Sequence, residues 1–252
     1  MFILSNILII VGLTVLGWLI GVLLNYLADI LPAEPRKWQS VCPRCQTPFS
    51  LKNYLVLNSC RNCGQGRSRR VWIVQIASVI GVISLWVFPP DRFGFLWILP
   101  YMIYIALVAI IDIEHRLILH VVSLAGAILV LPLGIAWNGW LATLIGGLAG
   151  AAIMFALFYL GELFRRAVSR ARGNAVIEEA LGFGDVTLTA VLGLMLGWPK
   201  ITFDLVFAIL LAGLVSGLYM FWMAVRRNYQ PYSAIPYGPF LLIGALILIY
   251  MA

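Results

Sequence analysis

The chain has 252 residues, of which 63% are hydrophobic and only 11% charged. Soluble domains run nearer half apolar and a quarter charged, so this composition excludes an ordinary globular enzyme, a disordered chain and a small disulfide scaffold. It points to an all-α polytopic membrane protein whose formal net charge of +7 has to be read from where the charges sit.

A helix needs about 20 apolar residues to cross a bilayer. Residues 2–28 carry no charge, and the same holds for 71–90, 93–111, 117–137, 139–161, 205–225 and 228–252. A shorter uncharged run covers 186–199. The expectation is about eight transmembrane helices. The first run is too long for a signal-peptide core, lacks a basic start and has no small-residue cleavage site, so it reads as a retained helix.

The connections set the orientation. Residues 29–70 hold eight basic residues, Arg116 follows the third run, four arginines follow the fifth, and Arg226 and Arg227 follow the seventh. With eight crossings these connections share one face, which collects fifteen of the seventeen basic residues and is therefore cytoplasmic. Only Arg92 and Lys200 fall opposite. Both termini then lie outside. The basic charge is topological: the lipid bilayer is the partner it implies, and nucleic acid is not. Two polar segments, about 33–70 and 162–184, are long enough to matter, and both are cytoplasmic in this scheme. The predicted organisation is a first helix over 1–32, a module over 33–70 and a helical membrane body over 71–252.

The module carries Cys42-Pro-Arg-Cys45 and, fourteen residues on, Cys60-Arg-Asn-Cys63. Two C-x-x-C turns can present four thiolates tetrahedrally to one Zn²⁺. A segment this short has little core of its own, so a bound metal would supply folding energy. Cytosolic disulfides and a redox-active pair are the competing readings. The first needs an oxidising compartment, and the second a thioredoxin-like βαβ pattern that is absent. The expectation is a small zinc-ribbon-like module with structural zinc on Cys42, Cys45, Cys60 and Cys63.

The third run ends in Asp112-Ile113-Glu114-His115-Arg116, and the sixth opens in Gly182-Phe183-Gly184-Asp185. Counting crossings puts Asp112 and Asp185 on the same side, at one depth. Two aspartates sharing a proton can hydrolyse a peptide with neither metal nor covalent intermediate: one takes a proton from water, the other polarises the carbonyl. Gly182 and Gly184 would permit non-helical backbone and close approach of a peptide. The bland alternative is that Asp112 and Glu114 merely end a helix at the headgroups. Asp185, pressed against a short run, is harder to explain that way, because an ionisable residue inside a membrane is functional by default. The glycine pairs 146/150, 193/197 and 213/217 are read as close helix packing. His115 is read as facing the headgroups and His120 as a packed or interfacial residue. No G-x-S-x-G elbow is present.

Taken together these residues resemble the type IV prepilin peptidases, the G-x-G-D membrane aspartic proteases also called leader peptidase/N-methyltransferases. Gly21-Val22-Leu23-Leu24-Asn25 through Pro32 is similar to that family's G-S-F-L-N…R-L-P. The cysteine quartet falls where the family keeps a cytoplasmic zinc-type module. Asp112 matches its first aspartate, and Gly182-Phe183-Gly184-Asp185-Val186 its G-x-G-D-V, with Gly193 to Trp198 continuing in kind. Ile235-Pro236-Tyr237-Gly238-Pro239-Phe240 is similar to its I-P-F-G-P-F. The resemblance implies a bacterial inner-membrane endopeptidase with Asp112 and Asp185 catalytic. Its substrates would be prepilin or pseudopilin precursors of the type IV pilus and type II secretion kind. It would remove a short basic leader at the cytoplasmic face, and many members then N-methylate the product from S-adenosylmethionine.

The departures are specific. Thr187 stands where the family has lysine, Ile118-Leu119-His120 replaces its Ile-Pro stretch, and Ile30 replaces an arginine. Arg70-Val71-Trp72-Ile73-Val74-Gln75 lacks its Tyr-Pro and Glu. Most N-terminal losses fall in the part associated with methylation, which favours the protease over the methyltransferase. A basic leader approaching a basic face needs an acidic dock, and Glu114, Glu162, Glu178 and Glu179 are the acids there, with Glu114, Glu178 and Glu179 flanking the aspartates. Two other classes stay open: a catalytically impaired relative that binds pilins as an assembly factor, and a transporter with interfacial carboxylates.

Overall fold

The computed structural model describes residues 2–33, 40–172, 182–226 and 236–251. Within them the protein is helical, and the single extended pairing is an isolated antiparallel bridge between Val41 and Pro48. The chain forms two compact units, residues 1–107 and 108–252.

The first unit is built on α1 (Phe2–Ile30), α2 (Leu51–Leu55) and α3 (Arg69–Val87), followed by most of α4 (Phe95–His115). The uncharged run of α1 makes a helix of 29 residues. It packs on α3 along a seam that steps one turn at a time. A Cβ on Gly17 would stand 2.7 Å from Val79 Cα, and one on Gly21 would stand 2.9 Å from the Gln75 side chain. The Gln75 amide donates to the Trp18 carbonyl at 2.7 Å, and the Asn25 amide to the Val71 carbonyl at 3.2 Å. Small residues thus bring two backbones together while buried amides bridge them. This is the structural use of the Gly21 to Asn25 motif.

The second unit holds the end of α4, then α5 (His120–Asn138), α6 (Trp140–Arg172), α7 (Phe183–Leu196), α8 (Lys200–Val225) and α9 (Gly238–Met251). Its centre is the seam between α6 and α7. A Cβ on Gly193 would lie 2.2 Å from the Gly146 carbonyl oxygen, and one on Gly146 would lie 2.4 Å from the Gly193 oxygen. A Cβ on Gly150 would meet the Thr189 oxygen at 2.7 Å. Two of the three predicted glycine pairs therefore face each other and hold α7 tightly. The third differs, since Gly213 and Gly217 meet nothing within 4 Å.

Among the described residues six helices are long and apolar enough to cross a membrane: α1, α3, α4, α5, α6 and α8. The eight expected runs each contain a helix, but α7 and α9 have only 14 residues each. At 1.5 Å per residue that is about 21 Å, short of a hydrocarbon core of about 30 Å. The second polar segment also differs from expectation. Residues 162–172 continue α6 as helix, with Arg165 and Arg166 both bonded to Glu162 one turn back.

Candidate active site

Asp112 sits in the last turn of α4 and is 5% exposed. The helix stops three residues later because Arg116 takes a left-handed conformation at φ 52°, its N–H donating to the Asp112 carbonyl at 2.8 Å. The chain then turns through Ile118 into α5, and Ile118 packs against the start of α7. A Cβ on Gly184 would lie 2.6 Å from Ile118 Cβ and 3.0 Å from its carbonyl oxygen, so only glycine lets α7 approach this turn.

Asp185 lies in the first turn of α7 and is 7% exposed. Gly182, the N-cap, donates its N–H to Asp185 Oδ2 at 3.1 Å. A carboxylate in this position answers one of the unpaired donors of the helix start. The next turn is fixed by hydroxyls. Thr187 donates to the Gly184 carbonyl at 2.9 Å and lies 3.1 Å from Ser123 Oγ on α5, while Thr189 donates to the Asp185 carbonyl at 2.6 Å. The two aspartates are brought within electrostatic range of each other. Two buried carboxyls in that range, one of them with an oxygen lacking any partner among the described residues (Asp112 Oδ2), are a candidate acid–base pair.

The glycines divide their work. Gly184 is inside the helix and closed off by Ile118, so it serves packing. Gly182 is exposed at φ −83° and open on its outer side. Glu114 is partly exposed, 3.8 Å from His115. Glu162 is engaged by two arginines. Glu178 and Glu179 lie outside the described residues. His120 packs edge-on against the Phe183 ring at 5.7 Å, as a packed residue would.

The structure gives a place to three residues to which sequence reasoning assigned no role, two of them, Ile118 and Gly238, named there only within motifs. Ile118 shapes the turn between the aspartates. Gly238, the first residue of α9, abuts the Asp112 carboxylate. Asp204 on α8 is fully buried, with neither oxygen hydrogen-bonded among the described residues, and Gly244 leaves the space for it. Tyr237 stands within electrostatic range of both Asp204 and Asp185. An aspartate directly preceding an apolar run, with only Lys200 charged in the turn before it, was the available signal for Asp204.

The cysteines gather in the first unit. Their four Sγ atoms lie within 4.8 Å of one another, with Cys42 and Cys63 at 3.6 Å and Cys45 and Cys60 at 3.5 Å. Sulfurs around a zinc ion at about 2.3 Å would stand about 3.8 Å apart, so the cluster fits that ion. The two turns are copies of each other. Cys42 accepts from Gln46 N–H and donates to the Thr47 carbonyl, and Cys60 accepts from Gly64 N–H and donates to the Gln65 carbonyl, all at 2.9 Å. Gln46 and Gly64 take the same left-handed conformation, at φ 57° and 68°. The Thr47 hydroxyl, followed by its backbone, holds the Cys45 thiol down to about 6. Cys63, despite the Gln65 N–H that favours its thiolate, is pushed up to about 12 by burial and by the neighbouring sulfurs. Crowded thiolates repel, and a dication removes the conflict. The cluster is tied to α1 through Asp29, which accepts from Ser40 Oγ at 2.8 Å and Tyr54 OH at 2.9 Å and pairs with Arg70.

Comparison with known proteins gives a consistent result. The profile of the type IV leader peptidase family matches residues 97–221, which include both aspartates. The prepilin leader peptidase/N-methyltransferase of Aeromonas salmonicida is 27% identical over 228 residues, covering 83% of this chain and 70% of the relative. The protein of that name from Pseudomonas aeruginosa is 28% identical over 232 residues, covering 82% and 70%. The one from Pectobacterium carotovorum is 26% identical over 274 residues, covering 93% and 90%. No solved structure matches the chain. With the profile spanning the paired aspartates and relatives aligned over most of its length, the chain is similar to the type IV leader peptidase family.

Proposed function

We propose that this protein is an aspartic endopeptidase that removes the short basic leader of type IV prepilin or pseudopilin precursors at the cytoplasmic face of the bacterial inner membrane. The observation that carries this reading is the pair of buried carboxylates, Asp112 at the end of α4 and Asp185 at the start of α7, held within range of each other. One carboxylate takes a proton from water as the oxygen attacks the scissile carbonyl carbon. The other, protonated, donates to the carbonyl oxygen. Collapse of the tetrahedral adduct breaks the C–N bond, and the amine leaves with the proton first taken from water. The products are a leader carboxylate and a pilin with a free amino terminus.

Cys42, Cys45, Cys60 and Cys63 would hold a zinc ion that supplies folding energy to the module and no chemistry to the cleavage. The eight-span arrangement, with the termini outside and the module and aspartates at the cytoplasmic side, is part of the same reading. It uses α7 and α9 as the two short crossings and rests on the basic residues gathering on alternate connections. N-methylation, named for the relatives, with S-adenosylmethionine as the donor the resemblance implies, has weaker support in this chain, where Ile30 and the 70–75 stretch depart from the resembled motif.

Co-expression with a pilin precursor, followed by N-terminal sequencing of the pilin, tests the reading. A shortened pilin with wild type and an intact precursor with Asp185→Asn is the expected result. An intact precursor with wild type would favour the assembly-factor class.

A further inference from the structure

We propose that Gly238 is a positioning residue for Asp112, so that α9 sets the orientation of one member of the aspartate pair. The inference rests on the reading that Asp112 and Asp185 act together. Gly238 is the first residue of α9, and it is buried. A Cβ built on it would stand 2.4 Å from Asp112 Oδ2 and 3.1 Å from Asp112 Cγ, with Ile118 Cδ1 next at 3.6 Å. The Asp112 carboxylate thus occupies the volume that any side chain at 238 would claim. That same oxygen has no hydrogen-bond partner among the described residues, so no donor competes to hold it elsewhere. The bare Cα of Gly238 defines one side of its seat.

The obstruction falls on the end of a side chain. An alanine at 238 is therefore accommodated by turning the Asp112 carboxyl away, with the backbone left in place. The same helix provides an internal control. A Cβ on Gly244 would stand 2.2 Å from Asp204 Oδ1, an equally close approach to a different carboxylate. Gly238→Ala and Gly244→Ala disturb α9 alike and differ in which aspartate they move.

Cleavage kinetics of a basic-leader pilin precursor by purified full-length protein test the proposal, across pH, for wild type, Gly238→Ala, Gly244→Ala and Asp112→Asn. A displacement of about 1 Å at a reacting group costs about 100-fold, so Gly238→Ala is expected to lose about that in kcat with KM within about threefold. Its pH profile should also be displaced, which a smaller folded fraction alone would not do. Gly244→Ala, which moves Asp204 and leaves Asp112 in place, should lose far less kcat than Gly238→Ala. Gly238→Ala at wild-type kcat, or Gly244→Ala losing as much, overturns the proposal while leaving the aspartate pair intact. Full activity of Asp112→Asn instead removes the pair itself. Should Gly238→Ala fail to fold, Asp112→Ala/Gly238→Ala must fold as Asp112→Ala does, because the obstructing carboxyl is gone. Failure of that double variant overturns the proposal as well.

Discussion

Gly184 lies directly against Ile118, and a Cβ at 184 would be 2.6 Å from Ile118 Cβ and 3.0 Å from the Ile118 carbonyl oxygen. This contact joins the turn after Asp112 to the helix start that carries Asp185. It holds the two segments that carry the carboxylates against each other.

The two glycines of the G-x-G-D segment should therefore respond differently to alanine. Gly184→Ala pushes on backbone that cannot rotate away, at a cost of about 1–3 kcal/mol, and it separates the aspartates. A Cβ on Gly182 would make only ordinary contacts, 3.7 Å from Asp185 Oδ2 and 3.9 Å from Gly184 N, at an ordinary φ. Cleavage rate and thermal denaturation should both fall for Gly184→Ala and stay near wild type for Gly182→Ala. Equal losses would mean that the segment acts through something other than this packing.

Purified protein should contain one zinc per chain by elemental analysis. Cys60→Ser should lose the metal and speed hydrogen exchange over residues 40–68 without lowering helix content, because the membrane helices satisfy their own backbone. A metal-free wild type with disulfides in the module would contradict both the zinc and the cytoplasmic placement of that segment.

Beside the Trp18 indole, which donates to the Leu55 carbonyl, Asp29 is one tie between the cysteine module and the membrane helices of its unit, accepting from Ser40 and Tyr54 and pairing with Arg70. Asp29→Ala strands those donors at a cost of about 1–3 kcal/mol. The expected signature is faster exchange around Ser40 and Tyr54 with zinc retained. Loss of zinc together with the tie would show that the module cannot fold undocked.

An acidic dock for the leader is narrowed by the structure, since Glu162 already serves Arg165 and Arg166. Glu114, Glu178 and Glu179 remain as the proposed set. An exposed pair contributes about 0.2–1 kcal/mol, so reversing Glu178 and Glu179 together to Lys should raise KM for a basic leader with a smaller change in kcat. A charge-neutral leader should be spared. Equal weakening of both leaders would remove the dock.

Much of this was legible along the chain, for reasons that differ by element. The apolar runs and the paired C-x-x-C turns are local patterns, so α1, α3 to α6, α8 and the cysteine cluster follow from them directly. Counting crossings singles out Asp112 and Asp185 by giving them one expected side, and says nothing of the turn that joins them. Ile118, Gly238 and Gly244 act through contacts with Gly184, Asp112 and Asp204 on other segments, and no spacing announces such contacts. The same limit applies to the glycine pairs: 146/150 and 193/197 interlock, while 213/217, identical in pattern, meet nothing within 4 Å. Residues 162–172 looked like a polar connection because they are charged, yet ion pairs one turn apart let α6 run through them.

The paired action of Asp112 and Asp185 is the centre of the account, and steady-state cleavage of a pilin precursor by purified wild type, Asp112→Asn, Asp185→Asn and the double variant tests it most directly. Each single variant should stay folded and lose nearly all activity. The double should lose little more, because residues acting as one unit are not additive. A single variant that cleaves near the wild-type rate, or losses that multiply in the double, would contradict a shared-proton pair.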